Sequence, residues 1–453
     1  MRFSGYLSIV LALWVIACND TDVNLPGGSD DQGSDLLDIE LEQIIARTDP
    51  KGLEAYILPD EEDWKDIPQD PRNPITPEKI ELGKLLFHET GFAIHAKNDK
   101  GMKTYSCASC HHVDAGFQAG RRQGIGDGGL GFGIRGEGRK GDPAYHPDSM
   151  DVQSVRTPTV INVAYQPNQI WNGQFGATHK NQGTEDKWVR GEPTGMNYTG
   201  FQGPEAQAIA GLKIHRIEIN DSLTQLLGYQ EMFDKAFSGF PAHDRYHNMS
   251  AGLAIAAYER ILVSNQAPFQ KWLRGEKDAM TDQEKEGAML FFGKAECVNC
   301  HKGPALNEME FYALGFNDLT GPDIFSVSPS DDSHLGRGGF TERAEDMYKF
   351  KVPQLYNLKD SPFLGHGGTF HTIRSVIEYK NKAIPENPNV PPGQLAEEFH
   401  PLGLTDEEID AITIFIQEGL YDPYLSRYVP EHIPSGKCFP NNDEITRIDL
   451  GCD

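Results

Sequence analysis

Cys107-Ala108-Ser109-Cys110-His111 recurs with the same spacing as Cys297-Val298-Asn299-Cys300-His301, and the fold turns on what these two pentapeptides are for. Both fit C-x-x-C-H, the attachment signal of c-type haem. The spacing has a chemical reason: two thiols add to the two vinyl groups of the porphyrin, and the adjacent histidine then lies under the iron as proximal ligand. Cys107, Cys110 and His111 are thereby expected to hold one covalent haem c, and Cys297, Cys300 and His301 a second. The competing readings of C-x-x-C are a zinc site and a redox dithiol. His112, beside the first ligand, reads as a solvated or hydrogen-bonded neighbour.

Working outward, the segments leading into the two pairs are related. Thr76-Pro77-Glu78 runs into Leu82-Gly83-Lys84-Leu85-Leu86-Phe87, and Thr281-Asp282-Gln283-Glu284 into Gly287-Ala288-Met289-Leu290-Phe291. Threonine followed by acidic residues and then apolar residues at helical spacing predicts a capped helix in each case, delivering the chain to a cysteine pair. Two related halves also suit the 453 residues, since a single core rarely grows beyond about 250 to 300. A further helix is expected over residues 251–263. It is followed by Pro268 and the charged turn Arg274 to Lys277, which places the boundary near 275. Residues 62–275 then form the first domain, 276–425 the second, and 426–453 a polar tail. The Gly-rich stretch from Gly120 to Gly141 lacks periodicity and reads as loop. Its Gly124-Ile125-Gly126-Asp127-Gly128-Gly129 fits G-x-G-x-x-G, but no strand enters it and no amphipathic helix leaves it, so a ligand-covering loop is the better reading than a nucleotide site.

Arg2 and a mostly apolar run from Tyr6 to Ala17 are too short to span about 30 Å of hydrocarbon and read as a signal peptide over residues 1–17. Val15-Ile16-Ala17-Cys18 resembles the lipobox of bacterial lipoproteins, which makes Cys18 the lipidated N-terminus and residues 18–61 a flexible tether and lead-in. The expected location is the periplasmic side of a bacterial membrane, with the lipid as the only membrane contact. Export disfavours the zinc and dithiol readings, and it permits a disulfide between Cys438 and Cys452, although spacing alone leaves two free thiols open. With 41 basic and 67 acidic residues the net charge is −26, which excludes nucleic acid and favours basic protein partners.

Beyond the haem motifs, residues 76–420 resemble the bacterial di-haem cytochrome c peroxidase family, which includes the MauG-type enzymes. The resemblance rests on Arg156-Thr157-Pro158-Thr159-Val160-Ile161-Asn162 with Ile170-Trp171-Asn172-Gly173, and on Phe350-Lys351-Val352-Pro353-Gln354-Leu355-Tyr356-Asn357 with His366-Gly367-Gly368. It implies a mainly α fold of two cytochrome c-like haem domains packed against each other, joined by long loops. It also implies that hydrogen peroxide reacts at the N-terminal haem, while the C-terminal haem relays electrons from a small soluble donor such as a cytochrome c or a cupredoxin. A homodimer is compatible with it.

Residue by residue, the resemblance points to Glu218 as acid/base with Gln207 as its companion. One extra residue between them leaves Glu205 a competitor, and His215 is the other titratable candidate. Residues 118–135 contain no displaceable histidine, which implies an open iron site. Trp171 matches the family's tryptophan between the haems. The sixth ligand of the second haem is methionine or tyrosine in relatives; here the position falls on Lys380, with Tyr379 as competitor. Ile373, Val376, Ile377 and Lys380 have the spacing of one helix face, and a neutral amine bound to iron escapes the cost of a buried charge. His366 is expected near the same haem. Relatives also hold calcium between the domains through an asparagine; Arg156 stands in that position, so calcium around Asp360 and Pro362 is not supported. The implied activity is peroxide reduction. A MauG-like oxidase acting on a protein or small molecule and a non-enzymatic di-haem carrier are the alternatives.

Overall fold

The structure, a computed structural model, describes residues 31–452. The expected signal peptide and the lipidation site Cys18 lie outside the described residues. Twelve α-helices are seen among them: α1 Asp31–Ile45, α2 Pro77–His88, α3 Gly203–Ile214, α4 Asp221–Leu226, α5 Gln230–Ala236, α6 Asn248–Arg260, α7 Pro268–Leu273, α8 Asp282–Phe292, α9 Arg337–Thr341, α10 Ile373–Lys382, α11 Asp406–Ile414 and α12 Glu444–Leu450. Strand among the described residues is limited to two short antiparallel pairs, Gly129–Leu130 with Lys140–Gly141 and Phe311–Tyr312 with Phe350–Lys351. The first pair falls in the glycine stretch, which is otherwise loop.

Both leader helices start where their threonines predict. The Thr76 side chain accepts a hydrogen bond from Lys79 N. Thr281 forms a reciprocal box with Glu284, satisfying donors that a helix start leaves unpaired. Each leader then crosses a partner helix at a glycine. A Cβ on Gly83 would lie 2.0 Å from the Ala254 carbonyl oxygen of α6, and one on Gly287 would lie 2.1 Å from that of Ala411 on α11. Backbone contact this close is open only to glycine.

The repeat continues beyond the helices. Asn162 and Asn357 both adopt left-handed φ, at 58° and 57°. Asn162 N donates to Leu262 O and Asn357 N to Leu420 O, so each pins the end of its half's closing helix.

Apolar side chains gather into two main clusters, one around Leu82, Phe87, Leu253 and Tyr258, the other around Phe269, Trp272, Phe291 and Phe415. Tyr165 packs against both. The division departs from the expected boundaries in three places. Phe269 and Trp272 of α7 belong to the second cluster, so it begins before residue 275. The described part of the expected tether is not free chain: Leu41, Ile45, Tyr56 and Leu58 are buried in the second cluster, and Asp38 accepts from Trp272 Nε1 at 2.7 Å. The polar tail returns to the first half, where Tyr428 and Ile433 are buried and Cys438 and Cys452 form a disulfide.

Candidate functional site

The second motif sits where α8 ends. Cys297–Asn299 form one 3-10 turn, which sets His301 on the floor of a large, mainly apolar cleft lined by Phe291, Cys297, Cys300, Ile377, Lys380 and Leu404. His301 Nδ1 donates to Leu306 O at 2.9 Å, fixing the tautomer that leaves Nε2 free as a ligand. Burial pushes the imidazole down to about 4, keeping it in the neutral form that binds metal. The first motif repeats the device: His111 Nδ1 faces Phe117 O at 3.3 Å, and burial again lowers its pKa to about 4.

Neither cysteine pair is bridged. Burial pushes Cys107, Cys110 and Cys297 up to about 12, and Cys300 upward as well. A redox dithiol needs the opposite shift. Paired thiols and a neutral histidine with one nitrogen free, beside an apolar slot, fit a covalently held haem at the second motif. At the first motif the glycine loop packs over the thiols; a Cβ on Gly124 would lie 2.8 Å from Cys110 Sγ.

The structure separates the two competitors on α10. Lys380 borders the cleft, and burial lowers its ammonium pKa. Tyr379 is turned the other way: its hydroxyl donates to Leu314 O at 2.5 Å, and its ring packs among Phe316, Phe370 and Phe399. Adjacent residues on a helix point about 100° apart, and of the two Lys380 is the one that lines the cleft.

Trp171 and His366 border the same cleft. The indole Nε1 donates to Arg156 O at 2.8 Å. His366 stacks on Phe350 with centroids 3.6 Å apart, and its Nε2 meets Asp318 at 3.3 Å.

On the first side the three carboxylate and histidine candidates part company. Glu205 is fully buried in an ion pair with Arg260 at 2.6 Å and is committed to the fold. Glu218 lies at the surface with 41% of its side chain exposed. It bonds His95 and accepts from Asn220 Nδ2 at 2.8 Å, and these partners hold its carboxyl below the usual range. His215 is half-buried, with 36% of its side chain accessible, and its charge is felt at His111. Its Nδ1 meets Asp151 at 2.9 Å. Burial alone would lower the His215 pKa, but the Asp151 charge and hydrogen bond outweigh it, and the net shift is upward. Gln207 and His215 flank Gly211 on one face of α3, which places Gln207 with His215.

Sequence reading missed His95, Asp151 and Lys351. Asp151 is 64 residues from His215 and His95 is 123 from Glu218, and no local pattern links such pairs. Lys351 lay inside a quoted family block; its Nζ is buried against Gln166 and Asn168.

A mainly helical chain with two C-x-x-C-H motifs, each histidine oriented by a backbone carbonyl, defines a di-haem oxidoreductase of the cytochrome c type. Residues 77–278 match the family model described as di-haem cytochrome c peroxidase. Cytochrome c peroxidase Ccp of Escherichia coli is 27% identical over 405 residues, covering 86% of this chain and 70% of that one. Methylamine utilization protein MauG of Methylophilus methylotrophus is 28% identical over 375 residues, covering 80% and 88%. The crystal structure of a MauG-like protein associated with microbial copper homeostasis shares the fold, with a TM-score of 0.55 at 21% identity over 81% of this chain and 95% of that one. Over residues 77–278 the chain is similar to the di-haem cytochrome c peroxidases, and over about four-fifths of its length to MauG.

Proposed function

We propose that the chain reduces hydrogen peroxide to two waters at the first motif, using two protons and two electrons delivered through the second motif from a small soluble carrier. Two cytochrome c-like domains in contact, exported and held by lipid on Cys18 at the periplasmic side, complete the reading. When bound, haem supplies the redox-active iron; the protein supplies attachment, orientation and protons. The observation that carries the proposal is Trp171, an indole bordering the cleft of the second motif and held by the backbone of Arg156, in the block that leads back to Pro158 and His111.

Cys107 and Cys110 anchor one cofactor, and Cys297 and Cys300 the other. His111 and His301 present Nε2 because their Nδ1 protons are engaged. Proton transfer at the first motif needs a titratable side chain within reach. Glu218 fills that role by resemblance. His215, oriented by Asp151 and sharing a helix face with Gln207, fills it by position. Lys380 is the proposed sixth ligand of the second haem. An amine where relatives use methionine or tyrosine favours a second reading, a MauG-like oxidase that spends the oxidising equivalents on another substrate. An acidic surface suits a basic cytochrome c donor.

Mixing the purified holoprotein with peroxide in a stopped-flow spectrometer tests the proposal. A fast haem change followed by oxidation of reduced cytochrome c supports it. No fast change reduces the protein to a carrier, and a fast change without cytochrome c oxidation moves it to the oxidase reading. Glu218→Gln and His215→Gln assign the proton-transfer residue, since only the variant lacking that group loses the fast phase.

A further inference from the structure

We propose that the guanidinium of Arg156 is a resident cation, filling an oxygen-lined cage between the two halves so that no divalent ion is required there. The family resemblance implies calcium between the domains, and the donor set tests that implication. Arg156 is 1% exposed. Its Nη1 donates to Arg121 O at 2.9 Å, and its Nη2 to Gln118 Oε1 at 3.3 Å, Ala119 O at 3.2 Å and Ser361 Oγ at 2.9 Å. These are two backbone carbonyls, an amide oxygen and a hydroxyl, the neutral hard donors that calcium takes.

Three of the four come from the loop after the first motif and one from the segment after the second family block, so the cage bridges the halves. The space is already taken: a divalent ion among these oxygens would sit against a fixed positive charge. Phe363 covers one side, 5.4 Å from the guanidinium carbon to the ring centroid.

Among the described residues no carboxylate pairs with Arg156, and the neighbouring charge is Arg122, of like sign. Such a cation is costly to bury unless it is hydrogen-bonded. The four oxygens take up Nη1 and Nη2, leaving Nε without a partner among the described residues, and they lose their own partner if the side chain is shortened. The backbone of the same residue ties the cage to the inter-motif groups, since Arg156 N donates to His366 O at 2.7 Å and Arg156 O accepts from Trp171.

The test uses purified holoprotein, with metal analysis and thermal unfolding, and calcium chloride and EGTA as probes. Wild type is expected to retain no stoichiometric calcium and to keep its midpoint and haem spectrum unchanged with either probe. Arg156→Asn, which empties the cage and adds an oxygen donor, is expected to bind calcium and to gain several degrees of midpoint with it. Arg156→Lys, which keeps the charge, should stay indifferent. One calcium retained per wild-type chain, or a midpoint that falls in EGTA, overturns the proposal. A folded Arg156→Asn variant that ignores calcium overturns it too. If that variant does not fold, the wild-type measurements decide.

Discussion

The indole of Trp171 meets the imidazole of His366 edge to face, with ring centroids 6.2 Å apart and planes at 69°. The two residues hold equivalent places in the internal repeat. Each lies inside a tight loop closed by one antiparallel bridge, Gln169 with Phe175 and Leu364 with Phe370. Each follows a residue with positive φ, Ile170 at 63° and Gly365 at 80°. The duplicated architecture therefore brings its two matching loops together at the cleft of the second motif.

Trp171→Phe is expected to slow cytochrome c oxidation about tenfold or more while leaving the first reaction with peroxide intact, since a phenyl ring keeps the packing but is a poorer relay. The substitution also removes the hydrogen bond to Arg156 O, at a cost of about 1 kcal/mol. Steady-state turnover compared with single-turnover stopped flow separates the two effects. Equal loss in both phases would point to misfolding.

Lys351 gives a pH dependence with a definite sign. Burial pushes its amine down to about 7 from an unfolded value of 10.5. Between those values the unfolded chain binds the proton and the folded chain does not, so stability rises with pH across the window. The contribution is complete above 10.5 and is lost as pH falls from 10.5 to 7, on the order of 5 kcal/mol in total. Lys351→Met should flatten the slope between pH 7 and 10.5 in denaturant titrations, and an unchanged slope would assign it to another group.

How far the sequence carries depends on range. The caps at Thr76 and Thr281, the crossing helices and both haem motifs are local or periodic signals, and each lies where its pattern puts it. Arg156 was singled out because it replaced an expected asparagine. By contrast, the lead-in around Leu41 packs on a core more than two hundred residues later, and the tail around Tyr428 returns to the first half. Hydrophobic residues in such segments mark burial but not the partner. The proton-handling groups suffer most, since Asp151 with His215 and His95 with Glu218 are pairings of isolated polar residues set by topology alone.

Gly83→Ala and Gly287→Ala test the duplicated helix crossing. A methyl group about 2 Å from a backbone carbonyl oxygen cannot be absorbed by a rotamer change, so the helices must move apart. A loss of about 1–3 kcal/mol or more is expected at each site. Denaturant midpoints that fall by similar amounts would show that both halves depend on the same contact.

Glu205→Gln is expected to behave as a fold mutation rather than a catalytic one. The carboxylate takes two bonds from Arg260, at 2.8 and 2.6 Å, with both side chains fully buried. Removing one partner of such a pair leaves a buried charge and costs about 3–5 kcal/mol. The unfolding midpoint should drop, while the folded fraction reacts with peroxide at the wild-type rate. A folded variant with a lost fast phase would restore Glu205 as the acid/base.

The tail disulfide acts on the first haem motif. Cys438 and Cys452, with Cα atoms 5.8 Å apart, close a loop that bears on the motif through Pro440, whose carbonyl accepts from Ser106 Oγ at 3.0 Å and Ser109 Oγ at 3.1 Å. Within the same loop Asp443 forms a buried ion pair with Arg139 at 3.2 Å, and Arg139 in turn holds the glycine loop through Ile125 O and Gly126 O. Opening the disulfide frees the unfolded chain by about 3 kcal/mol in the chain-entropy model, and the segment that loosens first is the one braced against Ser106 and Ser109. Cys438→Ser with Cys452→Ser should therefore lower the unfolding free energy by about that amount and speed proteolysis between Lys103 and the first cysteine pair. The second motif, which no hydrogen bond among the described residues ties to the tail, should keep its protection. Equal protease sensitivity at both motifs would show that the tail stabilises the molecule as a whole and does not brace the first motif.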